Sequence, residues 1–429
     1  MDAQRMAKAA RQAARQLMLL DESVKARALN NIAASLLENE TAIVEANRLD
    51  MARSTAEGLA APLLKRLKFD SSKIQDVVAG INSLIELPEP VGRVQLMTEL
   101  DEGLDLYRVS CPIGVIGVIF ESRPDALVQI STLCLKSGNS ALLKGGSEAL
   151  ETNRILATLI HQAAVAAGVP SGWLQLLETR DDVRTLLEMD QDVDLLIPRG
   201  SNEFVRFIMD HTRIPVLGHA DGVCHLYLSA KADPAMALEL AVDSKTQYVA
   251  VCNAAETILV DAAVASTLLE PLAAALKIRG VEIFGCPETC RLLGCKPVTE
   301  WHTEYLDYKV SIRIVADLDE AVSHINQHGS GHTEAIVTED RNEARRFMLA
   351  VDAGNVFWNA STRFSDGFRY GFGAEVGIST SKIHARGPVG VEGLLTYKYQ
   401  LFGHGQCVAD YSSGKKTFKH RQSERPLPF

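Results

Sequence analysis

The residue types that could do chemistry gather around one cysteine. The stretch Asp243-Ser-Lys-Thr-Gln-Tyr-Val-Ala-Val-Cys252-Asn-Ala-Ala-Glu256-Thr-Ile-Leu-Val260 reads as the end of a helix, a loop holding a thiol, and a buried strand over 257–260. A thiolate attacks carbonyl carbon readily and divides one hard acyl transfer into two easier steps. Most free cysteines are small core hydrophobes. Here polar Gln247 and Asn253 flank Cys252 in a loop, which sets it apart from a packed face.

Two other constellations suit a ligand that carries phosphate. Lys144-Gly145-Gly146-Ser147 and Pro198-Arg199-Gly200-Ser201 each follow a predicted strand and open a predicted helix. Ligands bind at such strand ends in open α/β sheets, and helix N-termini favour anions. One Gly-Gly turn is usually a plain connection. Two small-residue turns in one sheet, one with lysine and one with arginine, make anion binding as good a reading. Neither G-x-G-x-x-G after the first strand nor G-x-x-x-x-G-K-[ST] occurs, so an ordinary dinucleotide fingerprint and a P-loop are both missing.

Other clusters carry less. Cys286, Cys290 and Cys295 lack a fourth ligand at a recognisable spacing, so no metal site is expected. His219, Cys224 and His225 straddle a turn and a strand, along which 224 and 225 face opposite sides. Arg345-Arg346 reads as a solvated helix face.

The elements that must position these groups follow from pattern. The chain has 429 residues, 47% hydrophobic and 23% charged, an ordinary globular composition with length for two or three domains. A formal net charge of −10 argues against nucleic acid or an anionic membrane as the main partner. Eight cysteines without a regular framework point to a reducing cytoplasm. Residues 1–20 open no apolar core of a signal peptide, and no apolar run reaches membrane-spanning length.

Helical spacing runs over 2–86, with breaks at 20–23, 58 and 69–72, and ends at Leu87-Pro-Glu-Pro. Strands are then predicted at 104–109, 112–120, 141–144, 174–177, 194–197 and 215–217, with helices over 124–136 and 147–167 between them. Strands alternating with helices mean a parallel, doubly wound sheet. Asp233-Pro234 opens a second α/β region, with strands at 257–260, 281–284, 310–315, 335–338 and 355–359 and helices over 262–277, 318–327 and 340–352. The tail past Gly403, rich in Ser, Lys, Arg and Gln, is expected to be poorly ordered.

Read in order, the motifs resemble the aldehyde dehydrogenase superfamily over about residues 3 to 403. They are Pro112-Ile-Gly-Val-Ile-Gly-Val-Ile, Leu143-Lys144-Gly145-Gly146, Ile197-Pro-Arg-Gly200, Val251-Cys252-Asn253, Glu256-Thr257, Thr303-Glu304-Tyr305-Leu-Asp307, Gly329-Ser-Gly-His-Thr-Glu-Ala-Ile336, Asn359-Ala-Ser-Thr-Arg-Phe364, Gly373-Ala-Glu-Val-Gly-Ile-Ser-Thr380 and His384-Ala-Arg-Gly-Pro388. The resemblance implies an α/β fold of two doubly wound parallel-sheet domains with a small β oligomerisation extension. It places a cofactor domain at 1–98 and 112–222 with 382–393, a catalytic domain at 223–381, and oligomerisation strands and tail at 99–111 and 394–429.

The same resemblance implies NADPH-dependent reduction of L-glutamyl 5-phosphate to L-glutamate 5-semialdehyde, the second step of proline biosynthesis. Cys252 matches the nucleophile, and its backbone N–H is the expected oxyanion donor. Ser122 stands where relatives place a side-chain amide donor. Lys144 matches the lysine on the adenosine ribose, and Gly146, Gly200 and Ser201 match the glycine turns. Glu304 matches the glutamate on the nicotinamide ribose. Relatives that prefer NAD often carry glutamate where Ser147 stands. A hydroxyl there, with Lys144 nearby, favours NADP(H), although Glu148 is one residue away. Arg123, Asn359, Ser361, Thr362 and Arg363 are the substrate candidates, the guanidinium groups suiting its anions. The glutamate that activates water in hydrolytic relatives is missing from His219-Ala-Asp-Gly-Val-Cys-His225, as suits a reductive enzyme. That absence weighs against an oxidising semialdehyde dehydrogenase, and the intact cysteine weighs against a non-catalytic binding protein. A homo-oligomer is expected, pairing through 104–109 and 394–401, with functional coupling to glutamate 5-kinase.

Overall fold

The computed structural model describes residues 2–218, 221–372 and 374–428, the side chains of Pro62 and Arg180 excepted. Helices Ala3–Leu17, Glu22–Glu38, Glu40–Ala56, Ala61–Leu67 and Ser71–Glu86 form an N-terminal layer. Helical spacing alone shows no break at Asn39. There both the backbone N–H, at 3.1 Å, and the side-chain amide, at 2.8 Å, donate to the Ser35 carbonyl and close the helix end.

This layer packs on a parallel sheet with strand order Leu174–Leu177, Ser140–Lys144, Val115–Phe120, Leu195–Arg199. All six residues of Val115–Phe120 are buried, as a central strand covered on both faces requires. Ile116, Val118, Leu143 and Leu195 share one core with Leu29, Ile32 and Ile81 of the helical layer and Leu127 and Leu133 of helix Pro124–Lys136. Each such side chain contributes roughly 1.5–3 kcal/mol.

The predicted strand over 112–120 is two strands. Leu104–Pro112 belongs to an antiparallel sheet, and Val115–Phe120 to the parallel one. Gly114, at φ +133°, turns the corner, and a Cβ there would stand 2.1 Å from the Asp194 carboxylate. That carboxylate accepts from Val115 N–H at 2.8 Å and from Arg11 Nη1 at 2.6 Å. The predicted helix over 147–167 begins as a 3-10 turn, Ser147–Ala149, before Leu150–Ala166. The predicted strand at 215–217 reduces to one bridge between Leu196 and Val216.

The second sheet is parallel throughout, in the order Lys296–Pro297, Glu282–Gly285, Lys309–Val315, Ala255–Asp261, Cys224–Leu228, Thr333–Val337, Asn355–Trp358. Its interior holds Leu226, Ile258, Val260, Ile312 and Ala335, packed on helices Pro234–Thr246 and Ala262–Ile278.

A third sheet is antiparallel, in the order Leu395–Phe402, Leu104–Pro112, Val94–Asp101, Arg421–Ser423. The tail therefore does not follow the expectation of disorder. Arg421–Ser423 pairs with residues 97–99. Arg425 meets Asp105 at 2.8 Å, Lys419 meets Asp101 at 3.4 Å, and Tyr107 donates its hydroxyl to the Pro426 carbonyl at 3.1 Å. Its basic composition is complementary to an acidic sheet edge. Among the described residues, no helix is long and apolar enough to cross a membrane.

Candidate active site

Cys252 lies in the loop between helix Pro234–Thr246 and strand Ala255–Asp261, at the N-terminal end of that strand. Asp233 starts the helix by accepting from Met236 N–H at 2.8 Å. Three contacts hold the loop. Cys224, opening the adjacent strand, donates its Sγ–H to the Cys252 carbonyl at 3.1 Å. Asn253 donates its amide to the Ser365 carbonyl at 2.7 Å. Gly222 lies so close that a Cβ there would stand 2.5 Å from Cys252 Cβ.

The residue is half-buried, and the protein around its sulfur opposes ionisation. Burial pushes the thiol up to about 12, and the carboxylates of Glu375 and Glu304 push the same way. Arg199 and the cysteine's own backbone N–H pull it back. Arg199 and Glu375 both act electrostatically on the thiol; the sequence marks Arg199 only as the arginine of an anion-binding turn and gives Glu375 no role. Arg199 ends the strand Leu195–Arg199, the one visible signal, and a Cβ on Gly377 would stand 3.8 Å from its Nε. Burial, then Arg123, brings Arg199 down to about 10. It forms no hydrogen bond or ion pair among the described residues. Glu375 accepts from Gly367 N–H at 2.8 Å, and burial raises its carboxyl.

The substrate candidates divide. Arg363, 8% exposed, donates from Nε to Gln247 Oε1 at 3.0 Å and interacts electrostatically with Cys252. Arg123, at the start of helix Pro124–Lys136, leaves its side chain 43% exposed with Asp125 at 3.8 Å. Thr362 is buried, and its Oγ1 has no hydrogen-bond partner among the described residues. Asn359 and Ser361 make contacts within the protein. Asn359, at φ +52°, accepts from Thr338 N–H at 2.9 Å and donates to its carbonyl at 3.0 Å. Ser361, 2% exposed, accepts from Arg363 N–H and from the Ser244 hydroxyl. Asn359 thereby holds the backbone of Thr338, and Ser361 that of Arg363.

Ser122 turns to a carboxylate. Its Oγ donates to Glu148 Oε1 at 2.7 Å and its N–H donates to the same oxygen. A hydroxyl has one proton to give, and here Glu148 receives it.

The glycine turns sit side by side. Strand ends Lys144, Phe120 and Arg199 are neighbours in the first sheet, so residues 144–147, 121–123 and 199–201 converge at its C-terminal edge. Lys144 is buried and donates to the Gly145 carbonyl, and Ser147 is exposed. A Cβ on Gly146 would stand 2.0 Å from the Glu148 carboxylate, and one on Gly200 2.9 Å from Phe204. Ser201 caps helix Asn202–Asp210 by accepting from Phe204 N–H. Close backbone turns, a lysine and an uncovered helix start fit a dinucleotide. Asn202 donates to Glu304 Oε2 at 3.0 Å, which links this edge to the segment that approaches Cys252 through Gly222. Burial raises the Glu304 carboxyl.

The discounted clusters are also placed. Cys290 and Cys295 bring their sulfurs to 3.3 Å. His225 meets Glu334 at 3.0 Å while Cys224 turns to Cys252, and His219 lies outside the described residues, as does Ala220 of the stretch that lacks a glutamate base.

Comparisons with known proteins agree on one lineage. The model of the aldehyde dehydrogenase family matches residues 1–282 and 310–397. The gamma-glutamyl phosphate reductase of Acetivibrio thermocellus is 60% identical over 425 residues, 99% of each chain, so the tail is common to both. That of Ruminiclostridium cellulolyticum is 63% identical over 410 residues, 95% of each chain. The crystal structure of gamma-glutamyl phosphate reductase from Thermotoga maritima superimposes with a TM-score of 0.93 at 37% identity, covering 95% of this chain and 100% of that one. An acetylating aldehyde dehydrogenase from Geobacillus thermoglucosidasius, 18% identical with a TM-score of 0.65 over 94% of this chain and 97% of that one, shares the fold.

Proposed function

We propose that this chain, which belongs to the aldehyde dehydrogenase family and to its gamma-glutamyl phosphate reductase group, reduces L-glutamyl 5-phosphate to L-glutamate 5-semialdehyde and phosphate with NADPH, as the second step of proline biosynthesis. It is an oxidoreductase, and its family implies a nicotinamide cofactor. The observation that carries the finer reading is the half-buried Cys252, held by backbone contacts and acted on electrostatically by Arg199 and Arg363.

In this reading Cys252 Sγ attacks the acyl carbon. The S–C bond forms, the C–O bond to phosphate breaks, and the departing phosphate takes the thiol proton. No separate protein base is then needed, which suits a thiol that the protein holds protonated. Arg199, whose side chain makes no hydrogen bond among the described residues, holds the leaving phosphate, and Arg363 and Arg123 hold the substrate's α-carboxylate. Cys252 N–H donates to the oxyanion. Lys144, Gly146, Ser147, Gly200, Ser201 and Glu304 hold the nucleotide, whose nicotinamide, when bound, supplies hydride to the thioester carbon. Collapse of the resulting hemithioacetal then frees the aldehyde and the Cys252 thiolate, which takes a proton from solvent to restore the thiol.

The reaction runs in the cytoplasm, consistent with eight unpaired cysteines. Strand 104–109 is flanked within the chain by 94–101 and 395–402, so the expected subunit pairing through it is replaced by a homo-oligomer through the edge strand Leu395–Phe402, whose Tyr397, Tyr399 and Leu401 are exposed, and the kinase that makes glutamyl phosphate is its functional neighbour. The test is NADP reduction by glutamate 5-semialdehyde with and without phosphate. Strict dependence on phosphate is expected. Equal rates without phosphate would instead indicate an oxidising dehydrogenase.

A further inference from the structure

Helix Glu40–Ala56 sends one side chain into the turn after strand Ser140–Lys144. Arg53 Nη2 donates to the Ser147 carbonyl at 2.9 Å and the Glu148 carbonyl at 3.3 Å, and also to Asp50 Oδ1. All three bonds use a single nitrogen. A guanidinium has five N–H donors, and those of Nε and Nη1 meet no acceptor among the described residues. The side chain is 36% exposed and its neighbour Ser147 is exposed.

Two carboxylates stand close by, and both are already engaged. Asp50 is fully buried, accepting from Glu151 N–H, Thr152 N–H and Thr152 Oγ1–H. Half-buried Glu148 accepts from the Ser122 N–H and hydroxyl through Oε1. Beside it the turn presents the Ser147 hydroxyl and the guanidinium edge of Arg53. A ribose diol needs acceptors for its hydroxyl protons. A hydroxyl and a guanidinium edge, with the nearest carboxylates tied to protein donors, suit a phosphate monoester. The fixed Nη2 contacts also hold the guanidinium in place before any ligand arrives, which reduces the ordering cost of binding.

We infer that Arg53, together with Ser147, binds the 2′-phosphate of NADP(H) and sets the preference for NADP(H) over NAD(H). This rests on the nucleotide site described above and adds a residue from the helical layer to it.

The test is binding, measured by calorimetry on the complete protein with NADPH, NADH, adenosine 2′,5′-bisphosphate and 5′-AMP. In Arg53→Gln and Arg53→Ala the dissociation constants of NADPH and the bisphosphate are expected to rise about 10- to 100-fold, on the scale of lost charge-assisted hydrogen bonds. Those of NADH and 5′-AMP should stay within about twofold, and Arg53→Lys should recover part of the loss. A parallel loss for all four ligands would show that Arg53 only holds the turn, and would overturn the inference. An unchanged NADPH/NADH ratio in variants of a wild type that discriminates would overturn it too, with the NADP reading intact. A wild type that binds NADPH and NADH equally would overturn both.

Discussion

Lys245 and Glu256 form an ion pair at 2.6 Å in which neither side chain is exposed, and together they bracket Cys252 in sequence. The second oxygen of Glu256 accepts from Leu306 N–H at 3.2 Å, a residue held at φ +50° two positions beyond Glu304. The pair thus ties the end of the helix before the cysteine to the strand after it, and that strand to the segment carrying Glu304. Burial works against both charges, lowering Lys245 and raising Glu256 to about 7.

Removing one partner leaves the other charge buried and alone. Lys245→Met is therefore expected to destabilise the protein by about 3–5 kcal/mol, and the double change Lys245→Met with Glu256→Leu by clearly less. Urea unfolding measures both. Equal losses for the single and double variants would show that the pair is not the coupled unit described.

Cys252 carries a pH prediction. With its thiol at about 12 in the ligand-free protein, the thiolate is a minor form at neutral pH. Alkylation of Cys252 by iodoacetamide should rise about tenfold per pH unit from pH 7 to 10, without a plateau. Because the folded value lies above the ordinary one, the thiol's contribution to stability is present below the usual thiol range and is lost as pH rises toward 12. A plateau near pH 8 would mean an activated thiolate in the free protein.

Arg199→Met should slow that alkylation, since the Arg199 charge favours the thiolate. It should also raise the KM for phosphate in the reverse reaction on the order of 100-fold while leaving the KM for NADP within about threefold. An unchanged phosphate KM would return Arg199 to a purely structural role.

Ser122→Ala should lower kcat by no more than about threefold, because the hydroxyl serves Glu148. It should cost about 1–3 kcal/mol of stability by leaving the Glu148 carboxylate short of a donor. A fall in kcat of two orders of magnitude would restore Ser122 as an oxyanion donor.

What could be read from the sequence was whatever local pattern decides. Pro124 and Gly138 bound a helix whose ends are set within a few residues, and the apolar run 115–120 declares a central strand. The corner at Gly114 could not be read, because it depends on Asp194 and Arg11, brought together from 183 residues apart. The tail has the composition of an unordered segment, and its order comes from acidic residues 99–105 some three hundred positions earlier. At the site, Cys252 and the glycine turns stood out because residue type and flanking elements coincide. Arg199 stood out only as part of an anion turn, and Glu375 not at all, since nothing along the chain shows that both act on one sulfur. For Asn359 and Ser361 the sequence is silent in another way, as a polar side chain in a motif looks the same whether it holds ligand or backbone.

The most direct measurement is the mass of the protein quenched after mixing with glutamyl phosphate in the absence of nicotinamide cofactor. A glutamyl adduct mapped to the Cys252 peptide, lost on adding NADPH and missing in Cys252→Ser, is the predicted result. An unmodified Cys252, with turnover persisting in Cys252→Ser, would contradict the account.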